Sequence, residues 1–156
     1  MSKMPPPTKF EARDPNFEQR VRDSFARQAA MATMGITLEH IAPGEVVLAL
    51  PFRQDLTQQN GYLHAGVITT ALDSACGYAA FTLMEPGASV LSVEFKVNLL
   101  APARGAIFRA VARVVRAGRT LTVVSAEMHG YDSAGAEAGK LVAIFTGTMM
   151  AVPEPS

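Results

Sequence analysis

The 156-residue sequence has one cysteine, no tryptophan and three histidines, and its 14 lysines and arginines balance its 14 acidic residues. A single cysteine excludes an intrachain disulfide framework, and three scattered histidines give no zinc-type cluster. A formal net charge of zero gives no basic surface for nucleic acid or an anionic membrane. No apolar run reaches the length of a membrane span and the N-terminus lacks a signal peptide's apolar core, so the cytoplasm is the expected compartment.

Apolar residues make up 49% of the chain and charged residues 18%, which predicts one soluble globular domain with a substantial core. An apolar surplus of this kind is often covered at a subunit interface, because monomers rarely expose large apolar patches. The composition therefore favours a homo-oligomer.

The longest segment of helical apolar period runs from Gly66 to Met84, and it carries one acid, Asp73, with no lysine or arginine. A helix of this composition is expected in the centre of the core. A buried carboxylate without a partner costs stability, so Asp73 is a candidate functional residue, with a purely structural acid as the alternative. Cys76 belongs to the same apolar pattern, which indicates packing rather than a nucleophile.

The remaining elements are predicted from turn signals and apolar periodicity. Residues 1–13 contain three consecutive prolines and are predicted to be a flexible segment. Residues 14–35 are predicted to form an amphipathic helix with Arg20 and its other arginines opposite the apolar face, and Gly35 is its expected stop. Residues 36–152 follow as the main domain. Its strands are expected over 36–42, 45–52, 90–100, 106–115, 120–131 and 141–152.

A single apolar helix placed after two strands and before four must be covered by the sheet, which is therefore expected to curve around it. The first two strands should form a hairpin through Pro43-Gly44. The last four strands are expected to pair in sequence as a meander. The predicted architecture is an α+β fold with an antiparallel, curved sheet.

Several motifs accompany the start of the central helix, where His64-Ala65-Gly66 is followed by an acid nine residues after the histidine. They lie at residues 92–98 with 101–103, at 118–121 and at 143–148. In this order and spacing the chain resembles the hotdog-fold thioesterases, and among them the PaaI-type acyl-CoA thioesterases of phenylacetic acid degradation. The resemblance covers roughly residues 36–152. It implies a hotdog fold, in which a curved antiparallel β-sheet wraps around one long central helix.

The start of the central helix is the expected oxyanion hole, because the first turn of a helix presents unpaired N–H groups and a partial positive charge. Ala65 N–H, with Gly66 beside it, is the predicted donor. The family usually has two glycines after the histidine, whereas this chain has Ala65 in the first position. Alanine needs no positive φ there and keeps the N–H, although its Cβ occupies space beside the acyl group.

The resemblance implies hydrolysis of an acyl-CoA thioester, with Asp73 as nucleophile or as general base. Both routes stay open from the sequence. Gln58 is implied as an amide near the attacking water or the carboxylate, with Asn60 as the competing candidate. His64 is expected either to cap the junction of loop and helix or to contact the substrate.

The resemblance also implies substrate contacts from Ser92, Val93, Tyr62, Arg116 and Arg119, with Arg119 as the candidate contact to a coenzyme A phosphate. Ser92 could equally bond backbone, and the two arginines could be solvated charges beside a turn. Coenzyme A enters as part of the substrate, and no metal or separate cofactor is expected. The acyl group stays open between aromatic, short-chain and medium-chain. The alternative function is a non-catalytic module that binds acyl-CoA or acyl carrier protein.

The spacing of the candidate groups predicts a site shared between subunits. Gly66 and Asp73 are seven residues apart, which is about 10 Å along a helix axis. The donor and the carboxylate of one chain are therefore too far apart to act on one carbonyl, whereas two antiparallel helices could bring them together. We expect a homodimer with two shared sites, and the resemblance implies a homotetramer built as a dimer of dimers. The N-terminal helix is expected to shield the pocket or to extend an interface.

Overall fold

A computed structural model describes residues 9–155, so most of the predicted flexible segment, residues 1–8, lies outside the described residues. The order of elements is two helices, two strands, a long helix and four strands. They are α1 (Phe17–Arg27), α2 (Ala29–Met34), β1 (Thr37–Ala42), β2 (Glu45–Pro51), α3 (Ala65–Phe81), β3 (Ala88–Leu99), β4 (Ile107–Ala117), β5 (Leu121–Tyr131) and β6 (Lys140–Pro153). A single 3₁₀ turn, Gln54–Leu56, lies between β2 and α3. Within residues 9–155 no helix is both long and apolar enough to cross a membrane.

The six strands form one antiparallel sheet in the order β1-β2-β4-β5-β6-β3, and α3 packs against β2 to β6. Residues alternate between buried and exposed along β4 and β5, so one face of the sheet covers the helix and the other faces outward. Buried apolar residues extend along most of α3, from Val67 to Phe81. The predicted α+β architecture, a curved sheet around one central helix, is confirmed.

The predicted four-strand meander is wrong for its first strand. β4, β5 and β6 do form a meander, but β3 pairs with β6, and β4 takes the place beside β2. Strands joined by short turns usually pair with each other, whereas the long connection through α3 lets β3 return at the far edge of the sheet. Strand periodicity carries no information about that choice.

The predicted hairpin of β1 and β2 is confirmed, and it is anchored to the end of the central helix. Gly44 has a φ of +77°, which favours glycine, and its N–H donates to the Thr82 hydroxyl at 2.7 Å. That hydroxyl also bonds the Ala79 carbonyl at 2.7 Å. The turn of the hairpin is thereby held against the C-terminal end of α3.

The predicted single N-terminal helix is two helices, because Gln28 adopts an extended conformation between α1 and α2. The Gln28 side chain reaches Ser74 on α3, at 3.4 Å from the hydroxyl. Gly35 ends α2 in the left-handed conformation, as expected. A contact to a distant element interrupts the helical pattern, which local periodicity does not reveal.

Arg20 does not face solvent as predicted but caps the C-terminal end of α3. Its guanidinium reaches the Phe81 carbonyl, the last of α3, at 3.4 Å and donates to the carbonyls of Met84 and Glu85 in the following turn at 2.9 Å each. It also lies over the Phe81 ring and pairs with Asp14 at 2.9 Å. The last carbonyls of a helix lack helical partners and carry partial negative charge, so a cation is stabilising there. The same contacts hold α1 across α3.

Candidate active site

The first turn of α3 is closed by His64, which is the N-cap residue. Its Nδ1 accepts a hydrogen bond from the Gly66 N–H at 2.9 Å, an arrangement that requires Nδ1 to be unprotonated. A Cβ on Gly66 would lie 3.1 Å from that nitrogen, so a glycine fits best. Of the two expected roles of His64, the structure shows the cap. The Gly66 N–H is therefore occupied and is not open to a substrate.

The Ala65 N–H, in contrast, has no hydrogen-bond partner within residues 9–155. Ala65 is half-buried and lines a cavity of about 440 Å³, hereafter the Ala65 cavity. Gln58, Tyr62, Leu63, Ile68 and residues 99–103 form the rest of its wall. A donor at the positive end of a helix, open to an apolar cavity, can stabilise an oxyanion.

The amide of Gln58, rather than that of Asn60, belongs to this cavity. Gln58 is half-buried, and its side-chain oxygen accepts the backbone N–H of Asn60. Asn60 is exposed and does not contribute to the cavity wall. Tyr62 lies in the same wall, and Arg104 stacks on its ring at 4.9 Å and donates to its hydroxyl. Arg104 was not among the predicted site residues, because nothing local links it to Tyr62.

Asp73 lies in a second cavity of about 390 Å³, hereafter the Asp73 cavity. Asp73 is half-buried, and its Oδ1 accepts a hydrogen bond from the Ser92 hydroxyl at 2.6 Å. No donor within residues 9–155 bonds Oδ2, which leaves that oxygen open for chemistry. A charge-assisted bond of this length is stronger than a neutral one and orients the carboxylate. Ser92 thus contacts the predicted acid.

Cys76 is fully buried three residues after the acid. Burial, and then the negative charge of Asp73, raise the pKa of the Cys76 thiol well above its usual range. The thiolate is the nucleophilic form, so a thiol held neutral here cannot attack a thioester. The prediction that Cys76 serves packing is confirmed.

The two cavities of one chain have no wall residue in common. Ala65 and Asp73 are eight residues apart on α3, about 12 Å along its axis. β3 runs past both, because residues 89–92 near its start line the Asp73 cavity, whereas Leu99 at its end and Leu100 directly after it line the Ala65 cavity. One chain therefore separates the predicted oxyanion donor from the predicted acid.

The other predicted substrate contacts lie outside both cavities. Arg116 and Arg119 are exposed at the turn between β4 and β5, and Arg119 lines a small depression near the C-terminal end of α3. Val93 is the bulged residue of β3 and is 53% exposed on the outer strand of the sheet. Within residues 9–155 no group of three or more potential ligands could hold a metal ion.

Three comparisons with known proteins bear on this geometry. Residues 60–136 match the thioesterase superfamily. The chain is 51% identical to a thioesterase family protein from Silicibacter pomeroyi, with a TM-score of 0.84, over 88% of this chain and 99% of that one. It is 30% identical to acyl-coenzyme A thioesterase 13 of Homo sapiens, over 69% of this chain and 74% of that protein. The Escherichia coli PaaI protein from the phenylacetic acid degradation operon shares the fold at 19% identity, with a TM-score of 0.78 over 88% of this chain and 94% of that one.

The chain belongs to the hotdog-fold thioesterases. It is a thioester hydrolase. The superfamily match includes the Ala65, Asp73 and Ser92 positions, whereas α1 and α2 precede it. The family resemblance inferred from the sequence is confirmed.

The wall of the Asp73 cavity in this thioesterase contains residues that sequence reasoning did not single out. Ser24, Arg27 and Gln28 come from the end of α1 and the break after it, and Gly77 and Tyr78 come from α3. The one local signal was Gly77, since a glycine inside a helix costs stability and needs a reason. The contribution of α1 depends on its docking and has no local signal.

Proposed function

We propose that this thioesterase hydrolyses acyl-CoA esters to a carboxylic acid and free coenzyme A. The observation that carries the proposal is the Asp73 carboxylate, oriented by Ser92 at 2.6 Å in an accessible cavity. A relative of 30% identity is named acyl-coenzyme A thioesterase 13, which supports coenzyme A as the thiol. Coenzyme A is part of the substrate in this proposal. Hydrolysis of an aromatic, short-chain or medium-chain acyl group would proceed without a separate cofactor.

Asp73 activates the attack in one of two ways. As a general base, it takes a proton from water while the water oxygen attacks the thioester carbon, and the departing thiolate then receives that proton. As a nucleophile, Oδ2 attacks the carbon, the thiolate leaves, and water cleaves the resulting mixed anhydride. In either route the carbonyl oxygen becomes negatively charged. The Ala65 N–H is the donor that stabilises this charge, and Gln58 lies beside it.

The two halves of this site come from different subunits of a dimer. β3 is an edge strand of twelve residues, and several of its apolar side chains are exposed to solvent. Leu91, Val93, Phe95 and Leu99 are 54%, 53%, 46% and 54% exposed. A long apolar edge with free backbone groups invites pairing with another strand. A second copy of β3 is the occupant of this edge in our proposal.

Antiparallel pairing of two β3 strands would join the separated cavities. In such a pair the start of one strand lies beside the end of the other. The Asp73 cavity, at the start of β3, would then meet the Ala65 cavity of the partner, at the end of β3. Each dimer would have two sites, with Asp73 from one subunit and Ala65 of the partner subunit in each.

A homotetramer is the proposed complete assembly. The outward face of the sheet also carries exposed apolar side chains: Val115, Leu121, Val123 and Ile144. Contiguous apolar patches on a surface usually mark an interface, so this face is the proposed contact between dimers. Arg116 and Arg119 border it and remain the proposed contacts to a coenzyme A phosphate. The cytoplasmic location stays a prediction.

A thiol-release assay against a panel of aromatic and aliphatic acyl-CoAs tests the activity. We expect turnover by the wild-type protein and its collapse in Asp73→Asn, while binding of coenzyme A esters persists in the variant. Undiminished turnover in Asp73→Asn would refute the assignment of the acid. Binding without turnover of any ester by the wild type would support the alternative, a module that binds acyl-CoA or acyl carrier protein.

Subunit complementation tests the shared site. Ala65→Pro removes the N–H at the first helical position, where proline is tolerated, and the extended ψ of 139° at His64 suits a following proline. Ala65→Gly keeps the N–H and is the matched control. Purified heterodimers of Ala65→Pro and Asp73→Asn should recover roughly half of wild-type activity, because one of two sites then has both groups intact. Heterodimers as inactive as either parent would contradict sharing.

A further inference from the structure

The Asp73 cavity extends away from the catalytic acid toward α1. Asp73 and Gly77 are four residues apart on α3 and share a face of the helix, as do Ser74 and Tyr78 on the adjacent face. Ser92 bonds Asp73 on the first face, and Gln28 contacts Ser74 on the second. An acyl group whose thioester lies at Asp73 would therefore extend over Gly77 toward the α1 wall.

Gly77 keeps the middle of this path open. A Cβ built on Gly77 would have no heavy atom within 4 Å, and the residue lies in the cavity wall. Glycine in a helix interior is less stable than alanine. Packing within residues 9–155 does not require this glycine, and space for a ligand is a physical reason for it.

The far wall of the cavity is polar, and its groups are loosely bonded to one another. The Tyr78 hydroxyl lies 3.3 Å from the Ser24 hydroxyl and 3.5 Å from the side-chain oxygen of Gln28, and the side-chain nitrogen of Gln28 lies 3.4 Å from the Ser74 hydroxyl. O–H···O bonds in proteins are usually about 2.7–2.8 Å and N–H···O bonds about 2.9–3.0 Å, so all three are long and weak. The Ser92 bond to Asp73, at 2.6 Å, shows that a short bond forms in the same cavity.

The far wall, formed by Ser24, Arg27, Gln28 and Tyr78, offers mainly hydrogen-bond donors to a ligand. Burial raises the pKa of the Tyr78 phenol, which therefore stays protonated and able to donate at neutral pH. Arg27 lies in the same wall, and no acid within residues 9–155 forms an ion pair with it. Two hydroxyls, an amide and a guanidinium complement an oxygen atom of a ligand.

We propose that the acyl group carries an oxygen substituent at the end remote from the thioester, bound by Tyr78, Ser24 and Gln28 of the far wall. This inference depends on the proposed function, since it takes the acyl chain to extend from Asp73. A hydrocarbon terminus would remove water from these polar groups and leave them only their long bonds to one another, which is unfavourable. A hydroxyl or carboxylate oxygen at that point gives each of them a short bond.

Isosteric pairs of substrates test the proposal, because each pair differs only in one terminal group. One pair is heptanoyl-CoA and 6-hydroxyhexanoyl-CoA, and the other is (4-methylphenyl)acetyl-CoA and (4-hydroxyphenyl)acetyl-CoA. The wild type should prefer the hydroxyl member in kcat/KM by about tenfold or more. Tyr78→Phe should lower this ratio by about 3- to 10-fold. The ratio is taken within one variant, so partial loss of folded protein cancels.

Adipoyl-CoA, which has a terminal carboxylate, and the variant Arg27→Gln distinguish an anionic terminal group from a neutral one. A carboxylate preference that falls in Arg27→Gln identifies an anionic terminus, whereas a hydroxyl preference insensitive to Arg27 identifies a neutral one. Ratios near one for both pairs, with hydrolysis that still requires Asp73, would overturn this inference and leave the proposed function intact. Calorimetry of the same esters with Asp73→Asn measures the ratio of their binding affinities without hydrolysis. An inactive wild type would therefore refute the proposed hydrolysis, whereas the affinity ratio would still test this inference.

Discussion

Ser92 orients Asp73, the proposed catalytic acid, and the backbone of β3 directs the Ser92 side chain toward it. The bulge at Val93 shifts the register between Ser92 and Glu94, and the Ser92 hydroxyl lies on the α3 side of the strand, between Asp73 and Met149. Bulges frequently redirect a side chain next to an active site. The one-residue bulge therefore links the conformation of the edge strand to the chemistry.

Ser92→Ala should lower kcat by roughly tenfold or more, because a hydrogen bond to a charged group contributes about 1.5–3 kcal/mol. Ser92→Thr keeps a hydroxyl on a β-branched side chain that suits a strand, and we expect it to retain much of the activity. Ser133→Ala, in the exposed turn after β5, is the control for a serine without a site contact. Equal rates for wild type and Ser92→Ala would remove the serine from the mechanism.

At the scale of residues the sequence was informative where a motif is local. The His64 cap and the open Ala65 N–H both follow from residues within one turn of the helix start, and one of the two roles expected of His64 was the cap. The bond from Ser92 to Asp73 joins residues 19 positions apart, and its existence depends on the bulge. The choice of Gln58 over Asn60 depends on the loop conformation, which the sequence does not determine.

Among the elements, α1 is the one whose position is least predictable from its own sequence, and the ion pair of Arg20 with Asp14 helps to fix it. Asp14 and Arg20 are 8% and 20% exposed at the side chain, and their pair holds α1 against the carbonyl end of α3. Val21 is completely buried on the same helix. One wall of the Asp73 cavity therefore depends on the Arg20 guanidinium together with the buried Val21.

Arg20→Ala should destabilise the protein by about 2–3 kcal/mol, because it leaves the Asp14 carboxylate buried without its partner. The expected result is a lower urea midpoint and faster hydrogen exchange in α1. Arg22→Ala is the matched control on the same helix. Its ion pair with Glu18, four residues earlier on the helix, is exposed and contributes less than about 0.5 kcal/mol to stability. Equal midpoints for the two variants would show that Arg20 is not a tether.

The central helix allows a test in which stability and activity change in opposite directions. Gly77→Ala should stabilise the protein by about 0.5–1 kcal/mol, because alanine favours a helix and nothing obstructs its Cβ. Gly77→Leu should fill the cavity and lower kcat/KM for long acyl-CoAs far more than for acetyl-CoA. Thermal unfolding and the ratio of the two rates measure these effects. A uniform loss across acyl lengths would indicate damage to the site rather than a blocked path.

The elements themselves were predictable because their patterns are strong. α3 and the six strands have apolar periods of 3.6 and 2 that survive in the structure with small shifts at their ends. The break at Gln28 and the inward direction of Arg20 were missed, because both arise from contacts with α3. The position of β3 in the sheet was predicted wrongly, because the long connection through α3 allows this strand to pair at more than one place in the sheet.

For the whole molecule, the proposed site is complete only when a second copy of β3 pairs with the free edge of this strand. In the proposed antiparallel pair of β3 strands, a two-fold axis through residue 93, next to the middle of the strand, sets the two copies of residue 93 directly opposite each other. Val93 is 53% exposed and has no paired residue on β6. A charge at this position meets the same charge on the partner.

Val93→Lys should shift the protein toward monomers and abolish hydrolysis, because two like charges directly opposite each other destabilise strand pairing. Val93→Glu should do the same alone, and an equimolar mixture of the two variants should regain both the dimer and the activity. Sedimentation velocity and thiol release on the same samples measure the two effects. Val123→Lys, on the outward face of β5, is the control: it should weaken the contact between dimers and leave the dimer paired. Active monomers of Val93→Lys would show that one chain holds a complete site, and the separation of Ala65 from Asp73 would then need a different explanation.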